Sequence, residues 1–213
     1  TDDPGTLVHN AKTFMGRNLG AFNIGNQMRG FLYQWGRKDA FSAADGGYKT
    51  YTYVPSFDTS FSNVSPVQSI SWSIQNPTTR VLSLSSNPSW LPADEYSLKP
   101  WRDDVKTIYD PCPYGWKVPK GSMWSTALNT TSYTNDGPWD SENFGMNFTQ
   151  KLGRASDIWY PAADCINYTG FLYNSYRSGY YWSSASVDTY SARYFVFNES
   201  NAYYHPYGMS VKS

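Results

Sequence analysis

The chain has 213 residues, a formal net charge of zero and only 16% charged side chains. A neutral, sparsely charged chain lacks the electrostatic footprint of a nucleic-acid or anionic-membrane binder, so neither partner is expected. No apolar run approaches the ~20 residues needed to cross a bilayer, so no membrane insertion by this segment is expected either.

The length suits one large domain or two small ones and is ample for a core. Aromatic residues make up 18%, including 19 Tyr and 9 Trp. With Leu, Ile and Val sparse, the core must rest on ring packing, and the surplus Tyr must stay partly exposed. Tyr combined with Ser, Asn and Gly is a composition shared with antibody paratopes. Two cysteines, Cys112 and Cys165, permit at most one intrachain disulfide and exclude a disulfide framework, while nothing in the sequence shows the two sulfurs meeting. Asn-x-Ser/Thr sequons at Asn63, Asn129, Asn147, Asn167 and Asn198 are mostly a consequence of composition.

Residues 1–10 contain the turn signal Pro4-Gly5 and read as a linker or the remnant of a preceding domain. The chain opens TDDPG without a signal-peptide pattern, so a secretion signal and anchor are expected upstream. Residues 11–213 read as a single domain. Lys12–Leu19 is the first strand candidate. Asn23–Trp35 carries Ile24, Met28, Phe31 and Leu32 at i, i+4, i+7 and i+8, which predicts a helix closed by Arg37, Lys38 and Asp39. The tract at about 42–100, rich in Ser, Asn, Pro and Gly, reads as a long surface insertion of irregular structure and short strands.

Asp110–Pro119, DPCPYGWKVP, contains three prolines and reads as a rigid extended segment leading into a short helix from Gly121 to about Leu128, with Ser122 as a candidate cap. Phe144–Thr149 and Ile158–Ala162 look like strands. Asp164–Ser178 reads as a polar loop. It leads into Gly179–Val211, where strands are expected around Tyr180–Ser183 and Ala192–Asn198, with Ala192, Phe195 and Phe197 turned inward. No repeat with a period of ~20–50 residues is visible.

Four pieces occur in a recognisable order: Arg17-Asn18-Leu19-Gly20-Ala21, Tyr33-Gln34-Trp35-Gly36-Arg37-Lys38, DPCPYGWKVP, and Gly179–Ser184, GYYWSS, with Gly208-Met209-Ser210-Val211 closing the series. In these motifs the chain resembles the major paralogous domain (FISUMP) family, found at the C-termini of fimbrillin-like and other secreted surface proteins of gut anaerobes. The resemblance implies an α+β, C-type lectin-like domain with two short helices, small antiparallel sheets and much irregular structure. It also implies that Lys12–Leu19 lies beside a closing strand at Gly208–Lys212, and that Trp35, Trp116 and Trp182 are core. Family members usually end in a Val-Arg-Cys-Val-like sequence. Here Val211 is followed by Lys212-Ser213, so a family partner for Cys112 is either absent or replaced by Cys165.

Catalysis is not expected, and no catalytic residue is assigned. The only histidines are His9, in the linker, and His205, in a Tyr-rich segment with no acidic neighbour closer than Glu199. Cys112 lacks a nearby cation that would activate it. The segment from Asp136 to Glu142 offers several oxygen ligands for calcium, but the Glu-Pro-Asn, Gln-Pro-Asp and Trp-Asn-Asp signatures of calcium-dependent sugar-binding lectins are missing, so no cofactor or metal is assigned.

The positions left for contact are Asp188, Tyr190, Ser191, Tyr194, Asn198, Ser200, Asn201, Tyr203, Tyr204, His205 and Tyr207, with Tyr173 and Tyr176 from the preceding loop. Most are encoded by codons one or two base changes from an Asn codon. In this respect the chain resembles the variable proteins of diversity-generating retroelements, whose C-terminal surface is diversified. The expectation is a secreted, cell-surface adhesin or receptor domain that binds a protein or glycan on another cell, with an upstream pilin-like domain or a fimbrial subunit as a further candidate partner. Two other classes remain open: a structural fimbrial subunit without an external ligand, and an enzyme of the formylglycine-generating type.

Overall fold

The computed structural model describes residues 6–9, 12–21, 29–42, 62–64, 67–81, 89–127, 139–142, 144–147, 159–166, 172–173, 177–188 and 191–210. In chain order its elements are β1 (Thr6–His9), β2 (Lys12–Met15), β3 (Phe31–Leu32), β4 (Phe41–Ser42), β5 (Ser62–Val64), α1 (Ile70–Gln75), β6 (Thr79–Val81), α2 (Ala93–Tyr96), α3 (Gly121–Ala127), β7 (Trp139–Asp140), β8 (Gly145–Asn147), β9 (Trp159–Pro161), β10 (Cys165–Ile166), β11 (Leu172–Tyr173), β12 (Ser178–Ser186), β13 (Ser191–Asn198) and β14 (Ala202–Ser210). Short helices and small, mostly antiparallel sheets make this an α+β fold. Among the described strands only β5 and β6 pair in parallel, and Asp164 makes an isolated parallel bridge with Gly179.

The largest sheet has the order β12-β13-β14, and β13 is its centre. Phe195 and Phe197 are fully buried on one side, against Tyr181 and α3, where Trp124 stacks on Phe195 at 5.2 Å. Gly179 stands opposite Phe197 in register, and a Cβ there would come within 2.3 Å of the Phe197 ring, so the close approach requires glycine. Pro206 lies in the edge strand β14, inside the register shift between Tyr194 and Ala192, where a missing N–H is tolerated.

Two aromatic clusters meet across this sheet. One gathers Phe14, Trp124, Met146, Tyr160, Phe195, Phe197 and Ala202. The other gathers Trp35, Ile70, Val81, Trp90, Leu91, Tyr96, Trp101, Val118 and Ala192. Indole N–H groups stitch the second cluster to backbone carbonyls: Trp35 Nε1 donates to Ser183 O at 2.9 Å, Trp182 Nε1 to Tyr33 O at 3.0 Å, and Trp90 Nε1 to Trp35 O at 2.8 Å. The reciprocal Trp35 and Trp182 bonds tie the YQWGRK and GYYWSS motifs together. A buried indole needs a partner, and here each motif supplies the other's.

Several expectations are corrected. Phe31 and Leu32 are not helical but pair with Ser42 and Phe41, because Gly30 at φ +70° breaks the helical path and Phe31 N donates to Leu19 O. Tyr33–Trp35 are not helical either, and residues 23–28 of the predicted helix lie outside the described residues. Arg37 closes a different helix: its Nη2 donates to Ser73 O at 3.3 Å and Asn76 O at 3.2 Å at the C-terminal end of α1, where a cation suits the dipole. The tract read as a surface insertion supplies Ile70, Val81, Trp90, Leu91 and Tyr96 to the second cluster. Asp164–Ser178 contains β10 and β11, which pair with each other. Among the described residues β2 pairs with β1 and β14 with β13, in place of the expected pairing of the two ends.

Candidate functional site

The polar positions expected to make contact sit mainly at the two ends of β13. At one end, Val187 N and Tyr96 Oη both donate to Ser191 O, at 2.8 and 3.0 Å, which closes the β12–β13 connection and leaves Asp188 exposed. Burial pushes the Tyr96 phenol up to about 12, so it stays a donor. At the other end, the Asn198 side-chain oxygen accepts from Ser200 N at 2.9 Å and Asn201 N at 2.8 Å. Asn198 therefore locks the β13–β14 turn, and Ser200 is exposed beside it. Seven residue steps at ~3.3 Å each separate Ser191 from Asn198, roughly 23 Å. One small molecule cannot touch both ends.

Tyr194 corrects the expectation of an outward ring. It is 8% exposed, stacked on Tyr180 at 6.0 Å and edge-on to Trp182 at 6.2 Å. Strand β13 is buried along both faces, with Val196 only 5% exposed, so alternation does not bring its Tyr into solvent. Tyr203, Tyr204 and His205 stand opposite Val196, Phe195 and Tyr194 in register, Tyr207 falls in β14, and Tyr173 falls in β11. Tyr176 and Tyr190 lie outside the described residues.

A cavity of about 380 Å³ lies at the seam of the two aromatic clusters. Its rings include Tyr33, Trp116, Tyr180, Trp182 and Tyr194. Of the tryptophans expected in the core, Trp35 is fully buried, whereas Trp116 and Trp182 line this space. The residue types alone carry no signal that distinguishes a lining ring from a packed one. Exposed Phe31, Gly115 and Lys120 are also in the lining, so the cavity reaches the surface. Its volume falls in the range of small-molecule sites.

Few polar groups converge on it. Arg29 Nη1 lies 3.9 Å from Asp164 Oδ2, both deeply buried. Asn18 Nδ2 donates to Arg29 O at 2.9 Å and to Tyr181 Oη at 3.3 Å, while Tyr181 Oη donates to Pro161 O at 2.7 Å. Desolvation raises the phenols of Tyr33 and Tyr181 above their ordinary range. Cys112 and Cys165 line the same cavity as free thiols, and burial pushes both up to about 12. They are therefore protonated at neutral pH and poor nucleophiles.

One wall is the DPCPYGWKVP segment, held by the carboxylate of Asp110, which is 3% exposed. Its Oδ1 accepts from Cys112 N at 2.9 Å and Lys106 Nζ at 2.9 Å, and its Oδ2 from Val118 N at 2.9 Å. Prolines withhold donors along this segment, and two of its remaining N–H groups, Cys112 N and Val118 N, are gathered on one side chain, while Trp116 N donates to Pro113 O at 3.1 Å. The serines of GYYWSS anchor the facing wall: Ser184 N donates to Pro119 O at 2.8 Å and Ser184 Oγ to Asp103 Oδ1 at 2.6 Å.

Among the described residues, no group of three or more His, Cys, Asp or Glu side chains is placed to hold a metal ion. Of the acidic segment considered for calcium, Asp136 lies outside those residues, and Asp140 Oδ1 accepts from Glu142 N at 3.0 Å. No described helix is long and apolar enough to cross a membrane. No protein-family model matches the chain, and no curated protein or solved structure matches it significantly.

Proposed function

We propose that this chain is the ligand-binding domain of a secreted, surface-displayed adhesin or receptor, with a C-type lectin-like fold and no enzymatic activity. It contacts a protein or glycan along the margin of the β12-β13-β14 sheet. The carrying observation is the pair of polar turns, around Asp188 and around Ser200 and Asn201, on a strand buried along both faces. A rigid strand holds the turns roughly 23 Å apart, a span that suits a protein surface or an extended glycan chain. The thiols of half-buried Cys112 and buried Cys165, both raised by desolvation, weigh against a formylglycine-generating type of chemistry.

The test is to screen the folded domain against glycan and cell-surface-protein arrays and then measure Asp188→Arg and Ser200→Arg on the ligand found. Both positions are exposed, so stability should hold within about 0.5 kcal/mol. Each substitution should weaken capture by roughly tenfold, about 1.4 kcal/mol. Unchanged capture in both variants would remove the face from consideration. Retroelement diversification is tested separately: sibling chains should differ mainly at the contact positions between Asp188 and Tyr207, and uniform drift would reject it.

A further inference from the structure

The cavity at the seam of the two clusters is lined without the Asp188 and Ser200 turns. Its lining is dominated by apolar and aromatic surface, and its charge is lopsided. Five cations (Arg17, Arg29, Arg80, Lys117 and Lys120) are in the described lining, against the single carboxylate of Asp164. Asp164 is already engaged with Arg29 at 3.9 Å. Lys117 Nζ is tied to Arg102 O and Asp103 O, so of the two lysines Lys120 is the one left to meet a ligand. Lys120 is exposed and stands where the cavity meets solvent. We propose that this cavity binds a small aromatic anion, such as an aryl carboxylate or sulfonate. The ring system would lie among Tyr33, Trp116, Tyr180 and Trp182, and the acid group would face the exposed Lys120, because Lys117 Nζ already donates to Arg102 O at 3.0 Å and Asp103 O at 2.7 Å.

Ring faces supply area and shape, while the cations select the sign of the polar end. The volume of about 380 Å³ accepts a bicyclic or tricyclic ligand and excludes a folded protein segment. This site does not involve the Asp188 and Ser200 turns, so loss of either function leaves the other standing.

The test uses three fluorescent probes on the intact domain: anionic 1-anilinonaphthalene-8-sulfonate, neutral N-phenyl-1-naphthylamine and cationic thioflavin T. The anion should bind saturably with one-to-one stoichiometry, accept energy from the cavity tryptophans and outcompete the cation. Lys120→Glu reverses an exposed charge and should weaken the anion roughly fivefold, with the neutral probe changing by less than about twofold. Circular dichroism and melting of Lys120→Glu should match the parent. Occupancy by the anion should also slow alkylation of Cys112 and Cys165, followed by mass spectrometry, because both thiols line the cavity. Non-saturable binding, equal affinity for all three probes, an unchanged anion affinity in Lys120→Glu or unprotected thiols would each overturn the proposal.

Discussion

Replacing Asp110 by Asn tests whether one carboxylate holds the wall of the cavity. Asp110 offers two oxygens to three donors, Cys112 N, Val118 N and Lys106 Nζ, each at 2.9 Å, while only 3% exposed. Asn keeps one acceptor and turns the other into a donor, so one backbone N–H is left facing an NH₂ group and the Lys106 pair loses its charge. An unsatisfied buried donor costs about 1–3 kcal/mol, and the half-exposed ion pair adds at most about 1 kcal/mol, giving about 3 kcal/mol in total. For a domain of this size that lowers Tm by about 6–12 °C. Urea titration followed by tryptophan fluorescence, with calorimetry for Tm, measures it. Lys106→Ala should cost only about 1 kcal/mol, because its partner keeps two backbone donors, and the two substitutions should be non-additive. A melting point of Asp110→Asn within about 2 °C of the parent, or a Lys106→Ala cost as large as that of Asp110→Asn, would refute the reasoning.

Trp124→Ala removes a ring that meets Phe14, Tyr160, Tyr181 and Phe195 at centroid distances of 5.2–5.9 Å and should cost about 3–5 kcal/mol in denaturant titration. Tyr194→Ala should likewise destabilise by about 3 kcal/mol, whereas Ser200→Ala should stay within about 0.5 kcal/mol. Alkaline pH should unfold the protein. Cys112 and Cys165 are raised from 9.0 to about 12 and Tyr96 from 10.0 to about 12, so their contribution is complete below the unfolded values and is lost as pH rises through the folded ones. Stability measured by urea titration should be flat to about pH 8.5 and fall beyond it, and both thiols should alkylate roughly a thousandfold more slowly folded than unfolded near pH 8.

The β12 and β13 strands, α3 and the inward set Ala192, Phe195 and Phe197 were legible because ring-rich strand segments and a helix after a proline-rich entry are local signals. The predicted helix over Asn23–Trp35 fails at Phe31 and Leu32 for a reason the spacing cannot carry. Gly30 and Gly36 sit at φ +70° and +88°, and the Trp35 indole is committed to Ser183 O, 148 positions away. Conversely, Ile70, Trp72 and Ile74 alternate as a strand would, yet they form α1. Ser69 caps Trp72 N, and Ile70 N finds the carboxylate of Glu95 on α2, a partner that only the folded chain brings near. Local pattern loses where a distant group satisfies the backbone.

The same distinction divides the candidate sites. The turn at Asp188 was readable as a polar break between two expected strands, whereas β14 after Ser200 was read as contact positions, because a Tyr-rich segment with Pro206 carries little strand signal. The cavity was hidden because its walls are the residues most easily assigned to a core: Tyr33, Trp116, Tyr180 and Trp182 from three motifs. Whether such rings close on one another or stand apart depends on where their polar tips are tethered. Trp182 is held by Tyr33 O, the DPCPYGWKVP wall by Asp110, and the GYYWSS wall by Pro119 O and Asp103. These bonds fix the walls from outside, so the rings need not collapse together to keep their polar groups satisfied. A space lined by aromatic side chains therefore persists in a fold whose composition would otherwise close it.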